Sequence, residues 1–143
     1  MGMEFFDSRE VVRALEKSEP LKYGTYHAMA ELAMPTLEET LKQHVPTLRS
    51  RLVTGGVGGV FYFYDGEDAK SCFMAGLLVF DSDKETGSMY GWIGVDVFRP
   101  EYLDVANEMK DRFLENFGNH PTAREMSKVN PSYTDDPTRP MYG

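Results

Sequence analysis

Ser88-Met89-Tyr90-Gly91-Trp92-Ile93-Gly94-Val95-Asp96-Val97-Phe98 is the stretch that decides the fold. In an extended chain Ile93, Val95 and Val97 share one side and Trp92, Gly94 and Asp96 the other. That two-residue period marks a strand with one face in a core. At Arg99-Pro100 the period changes. Leu103, Ala106, Met109, Phe113 and Phe117 recur at spacings of three and four, with Asp104, Glu108, Asp111 and Glu115 between them. The strand therefore feeds an amphipathic helix that Pro100 opens and Gly118 ends.

Working backwards, Asp81 to Gly87 is a polar hairpin loop and Cys72 to Phe80 an apolar run of strand length. Val60-Phe61-Tyr62-Phe63-Tyr64 is aromatic and β-rich and stops at the turn pair Asp65-Gly66. Three consecutive strands with short connections predict an antiparallel meander, and sheet faces this apolar require a helical layer. Gly55-Gly56-Val57-Gly58-Gly59 reads as a flexible connection into that sheet. It precedes a strand instead of opening a helix and lacks a Gly-Lys-Ser/Thr ending, so it does not read as a phosphate loop.

The N-terminal third reads as helical. Asp7-Ser8-Arg9-Glu10 is a capping box, with Phe6 and Val11 at staple positions, and that helix ends near Ser18 before Pro20. Tyr26, Met29, Ala30 and Ala33 mark a second helix, stopped by Pro35. Thr36-Leu37-Glu38-Glu39 opens a third through Leu37, Leu41 and Val45, which kinks at Pro46 or restarts toward Leu52. Beyond Gly118 the chain turns polar and proline-rich, with a short helix within Thr122 to Val129. The expected class is α+β: N-terminal helices, a three-stranded or larger antiparallel meander packed by a long helix, and a C-terminal arm. Residues 1–129 form the single domain, and residues 130–143 form an extended or disordered arm.

Composition narrows the function classes. The chain has 143 residues, 41% hydrophobic and 13% aromatic, enough for one packed core. Fifteen basic against 23 acidic residues give a net charge of −8. That charge repels phosphates and anionic membranes, so neither nucleic acid nor a membrane is an expected partner. No leader pattern and no run of about 18 apolar residues is present, so the expected location is cytoplasmic. Cys72, the sole cysteine, reads as a core residue. Asp81-Ser82-Asp83-Lys84-Glu85 has Thr86 and Trp92 where a calcium loop needs glycine and a bidentate acid. His27, His44 and His120 lack metal-ligand spacing, so no metal site is expected.

From Val60 to Phe117 the order of elements resembles a GNAT acyltransferase. The matching pieces are Val60 to Tyr64 with Asp65-Gly66, then Met74-Ala75-Gly76-Leu77-Leu78-Val79. The last is Ile93-Gly94-Val95-Asp96-Val97-Phe98-Arg99-Pro100-Glu101-Tyr102. The resemblance implies that the backbone of Val95 and Val97 cradles the pantetheine arm of acetyl-CoA, that the next helix start holds its pyrophosphate, and that Asp96 is the base. The family's Arg/Gln-x-x-Gly-x-Gly/Ala falls on Leu103-Asp104-Val105-Ala106-Asn107-Glu108, which has neither glycine and brings two carboxylates. The favoured expectation is therefore a non-catalytic binding or assembly module without a cofactor. It would meet a protein partner or a second copy through Tyr133, Met141 and Tyr142 of the arm. The alternative is an atypical acetyl-CoA-dependent N-acyltransferase acting on a small amine, and an acidic chaperone-like dimer also fits the charge and size.

Overall fold

The computed structural model describes residues 24–133. The helix expected from Asp7 to Ser18, and Met141 and Tyr142 of the arm, lie outside the described residues. The described chain is α+β. It comprises α1 (Gly24–Lys42), β1 (Arg49–Gly55), β2 (Gly58–Tyr64), β3 (Cys72–Ser82), β4 (Met89–Val97), α2 (Leu103–Phe117), α3 (Pro121–Met126) and β5 (Lys128–Pro131). The strands form one sheet in sequence order. The first four pair antiparallel, while β5 joins β4 in parallel after the crossover through α2 and α3.

α1 corrects the expectation of a helix stopped by Pro35 and another capped at Thr36. It is one helix with Pro35 inside it. Its buried positions, Ala30, Ala33, Met34, Leu37 and Leu41, hold one helical phase across the proline. Pro35 itself is on the exposed side, as is Glu31, the residue whose carbonyl loses its helical donor at a proline four positions on. Packing against the sheet outweighs the local stop signal.

A second correction concerns the chain after Pro46. No helix restarts toward Leu52; Arg49–Gly55 is an edge strand. The glycine run is not a connection into the sheet but a hairpin, with Gly55 opposite Gly58 and Gly56 at φ +52° in the two-residue turn between them. The third correction is β5, expected as the end of a short helix and the start of the arm. A short parallel strand is held by main-chain bonds to β4, which leave little trace in side-chain pattern. Its ladder takes Asn130 and Pro131 into the sheet.

Pro100–Tyr102 forms a 3-10 turn that runs into α2, and the backbone N–H of Gly118 bonds back to Leu114 O at the helix end. α1 and α2 pack side by side on one face of the sheet. There Phe61, Phe63, Met74, Leu78, Phe80, Ile93, Val95 and Val97 meet Leu37, Leu41, Ala106, Met109 and Phe113, all buried. The alternation from Trp92 to Val97 is as the sequence predicts. Cys72 is buried, and burial pushes its thiol pKa up, consistent with an inert core residue.

Candidate functional site

Residues paired across a sheet share a face. The ladders put Arg51, Tyr62, Ala75, Asp96 and Asn130 in one cross-strand row. Val53, Val60, Leu77, Gly94 and Lys128 form the next, with Val79 and Trp92 beyond it. These rows belong to the face opposite α1 and α2. Neither α1 nor α2 lies on it; the short α3 stands at its β4 side, where His120 stacks on Tyr90 and Met126 reaches its central hollow. Four apolar side chains on or beside this face are open, Val53 46%, Val60 36% and Leu77 48% exposed, and Met126 of α3 at its margin 48%. A contiguous apolar patch of this kind marks an interaction surface.

The centre of the face is a hollow of about 500 Å³, walled by Tyr62, Leu77, Trp92, Asp96, Met126 and Lys128. It exists because Gly94 has no side chain. A Cβ placed there would find only the Leu77 side chain, at 3.9 Å. Asp96 borders this hollow and accepts hydrogen bonds from Asn130 Nδ2 and Ser132 Oγ, both at 3.2 Å. Arg51 sits over the Tyr62 ring, its guanidinium carbon 5.7 Å from the centroid. Among the described residues Arg51, Asp96 and Lys128 take part in no ion pair.

The other candidates fall elsewhere. The Val95 and Val97 side chains are in the core, and both residues sit in the β4–β5 ladder, where Val97 O accepts from Ser132 N at 2.7 Å. β5 thus covers the edge of β4 on which the resemblance places the pantetheine arm. Tyr133, half-buried, follows β5, while Met141 and Tyr142 are outside the described residues. On α2, Asp104, Glu108, Asp111 and Glu115 line an acidic groove with Glu39 of α1. Arg112 reaches Glu39 at 3.7 Å and Glu108 at 4.0 Å.

Two polar clusters brace the frame. At one end of the sheet Asp65 Oδ2 accepts from Arg99 Nη1 at 2.5 Å and from Tyr102 Oη at 2.8 Å, and Arg99 Nη2 donates to Lys70 O at 3.3 Å. Burial first, then Asp65, push the Tyr102 phenol up to about 12. Because this value lies above the ordinary 10, the stabilisation is complete below pH 10 and is lost as pH rises through about 12. Asp65→Asn is expected to lower the Tyr102 titration but leave it above 10, since burial persists. Asp65→Ala is expected to cost about 1–3 kcal/mol by orphaning two donors. Ultraviolet titration of the phenolates and urea denaturation read the two effects. An unmoved titration in Asp65→Asn counts against the assignment.

At the other end His120 is stacked on Tyr90, with centroids 3.8 Å apart, and bonds to Asp83 Oδ2 through Nε2 at 2.9 Å. Its Nδ1 accepts from Thr122 N at 3.1 Å, which fixes the tautomer with the proton on Nε2. Both ring nitrogens are used in tying α3 to the β3–β4 turn, so the pair has no free base to offer. The His120 bond, first, and the backbone N–H groups of Thr86 and Glu85 hold the Asp83 carboxyl down at about 2. Asp83 belongs to the loop that lacks the residues of a calcium site, and its acid serves the turn.

The sequence singled out Asp96 but not the hollow. The available signal was Val60 to Tyr64, apolar on both faces, and Leu77 within a run of the same kind. Comparison with protein-family models, with curated proteins and with solved structures finds no match for this chain.

Proposed function

We propose that this protein is a non-catalytic binding or assembly module that docks through the open face of its sheet. The observation that carries the reading is the uncovered apolar patch of Val53, Val60, Leu77 and Met126 around a hollow, on a face whose charged groups are unpaired with one another. Among the described residues, none of those lining the hollow pairs a nucleophile with a base. Asp96 is engaged by two neutral donors from the β5 segment, which orient it as an acceptor for an incoming cation or hydroxyl.

The second reading, acyl transfer to a small amine with acetyl-CoA, is favoured by one observation, that Asp96 borders a hollow of small-molecule size. Two measurements separate the readings. At about 1 µM chain, where self-association is least, an anilinonaphthalene dye is expected to bind the face. Leu77→Glu is expected to cut that signal by about half or more, with Leu32→Glu on the exposed side of α1 as the unaffected control. Acetyl-CoA is expected to leave the melting temperature unchanged. A rise would install the acyltransferase reading instead, because only a ligand of the folded state stabilises it.

A further inference from the structure

We infer that the occupant of the open face is a second copy of this chain, packed sheet to sheet about a two-fold axis that runs along β3. This rests on the docking reading above and names its partner. Such an axis sets β1 over the second copy's β5, β2 over its β4, and β3 over its β3. Three independent features of the face become complementary under this one operation.

The first is shape. Val60 of β2 and Gly94 of β4 lie in the same cross-strand row, one strand to either side of Leu77. The two-fold carries Val60 over the second copy's Gly94, so an exposed knob meets the hollow whose floor lacks a side chain. The reciprocal contact forms at the same time. The second is the axis itself, where Leu77 meets Leu77 and the two exposed apolar side chains of the central strand are withdrawn from water. The third is charge. Arg51 and Asp96 occupy the next row, on opposite sides of β3. Arg51 then arrives beside the second copy's Asn130 and Asp96, pairing a guanidinium and a carboxylate that find no ion partner among the described residues of one chain.

Two sheets packed face to face sit about 10 Å apart with strand directions within about 30°, a geometry this two-fold permits. The size is adequate and no more. Five strands at roughly 4.8 Å spacing, by roughly 20 Å along them, withdraw roughly 500 Å² per copy. A pair then buries roughly 1,000 Å², the lower edge of a specific interface. The dimer is thus concentration-dependent, and the −8 charge of each chain weakens it at low salt.

The test is sedimentation velocity of the full chain between about 1 and 200 µM, spanning the range where so small an interface associates, with acrylamide quenching of Trp92, the only tryptophan. The wild type is expected to pass from one chain to two, with Trp92 becoming shielded in step. Gly94→Val fills the hollow at a position open within the single chain, and is expected to stay monomeric with an unchanged melting temperature. Arg51→Glu and Asp96→Arg are each expected to be monomeric. Their equimolar mixture is expected to dimerise. In the mixed pair the introduced carboxylate meets the introduced guanidinium on one side, and the native Arg51 and Asp96 meet on the other.

A wild type that stays monomeric throughout, a Gly94→Val that still dimerises, or a mixture that does not associate would each overturn the pairing. Trp92 shielded in a monomer at every dilution would assign the face to residues 1–23 or 134–143 of the same chain and overturn it too. The dye experiment reads the face in the separate chain. Dye binding with a monomeric wild type removes only the second copy, whereas no dye binding removes the docking reading.

Discussion

Gly76→Ala is expected to cost about 3 kcal/mol or more and to leave little folded protein under mild denaturant. Gly76 lies in the middle of the central strand, opposite Val95. A Cβ there would run into the carbonyl oxygen of Gly94 and stand 2.6 Å from the ring tip of Phe61, which is itself fully buried. Neither obstacle is the free end of a flexible side chain. The carbonyl is sheet backbone, and the ring is fixed by Phe63, 5.3 Å away between centroids. Relief therefore requires β3 and β4 to separate or the core to be rebuilt. Gly94→Ala is the matched control, since its Cβ would reach only Leu77, at ordinary contact distance. It is expected to change stability by less than about 1 kcal/mol. Urea denaturation at about 1 µM, below self-association, measures both. Equal midpoints for the two variants would show that Gly76 is not confined as described.

Phe113→Ala is expected to lower stability by about 3–5 kcal/mol, and Phe113→Leu by roughly a third of that. Phe113 is completely buried where α2 meets the sheet. Its ring lies 6.1 Å from Phe80 of β3 and 5.3 Å from Phe117, and Phe117 stands edge-on to Phe80 at 6.4 Å. Such a group loses both the transferred apolar surface and its mutual ring contacts when one member is removed. The cavity would open between the helix layer and β3, both rigid, so collapse would recover little of the loss. Leu114→Ala, one residue on and only half-buried, is expected to cost less than half as much. A smaller loss for Phe113→Ala than for Leu114→Ala would place the weight of the helix contact elsewhere.

Much of this architecture is written in local pattern. The inward set Ile93, Val95, Val97 and the α2 stripe from Leu103 to Phe117 are regular, and each period is long enough to outweigh local noise. Asp65-Gly66 announced a turn. The structure adds that the Asp65 side chain gathers Arg99 and Tyr102 from more than thirty residues away. No spacing rule links those positions. The misread elements have specific causes. Pro35 carries a strong stop signal that the continuous buried stripe of α1 overrides. β1 has polar and charged residues at alternate edge positions, Arg49 and Arg51 among them, which protect an edge strand and disguise it. β5 supplies only Val129 to the core and depends on β4 for its existence.

The sequence by itself determined the class, the meander from Val60 to Phe98, the helix that clamps it and the character of its two faces. Those properties follow from side-chain periodicity, which is set by the backbone of each element alone. Only the tertiary structure decided that both long helices take the same face, that a parallel fifth strand closes the sheet beside Asp96, and that Gly94 lies at the bottom of a hollow between Leu77, Trp92 and Tyr62. These are relations among segments far apart in the chain. They are fixed by which surfaces exclude water together, a quantity that no single stretch of sequence contains.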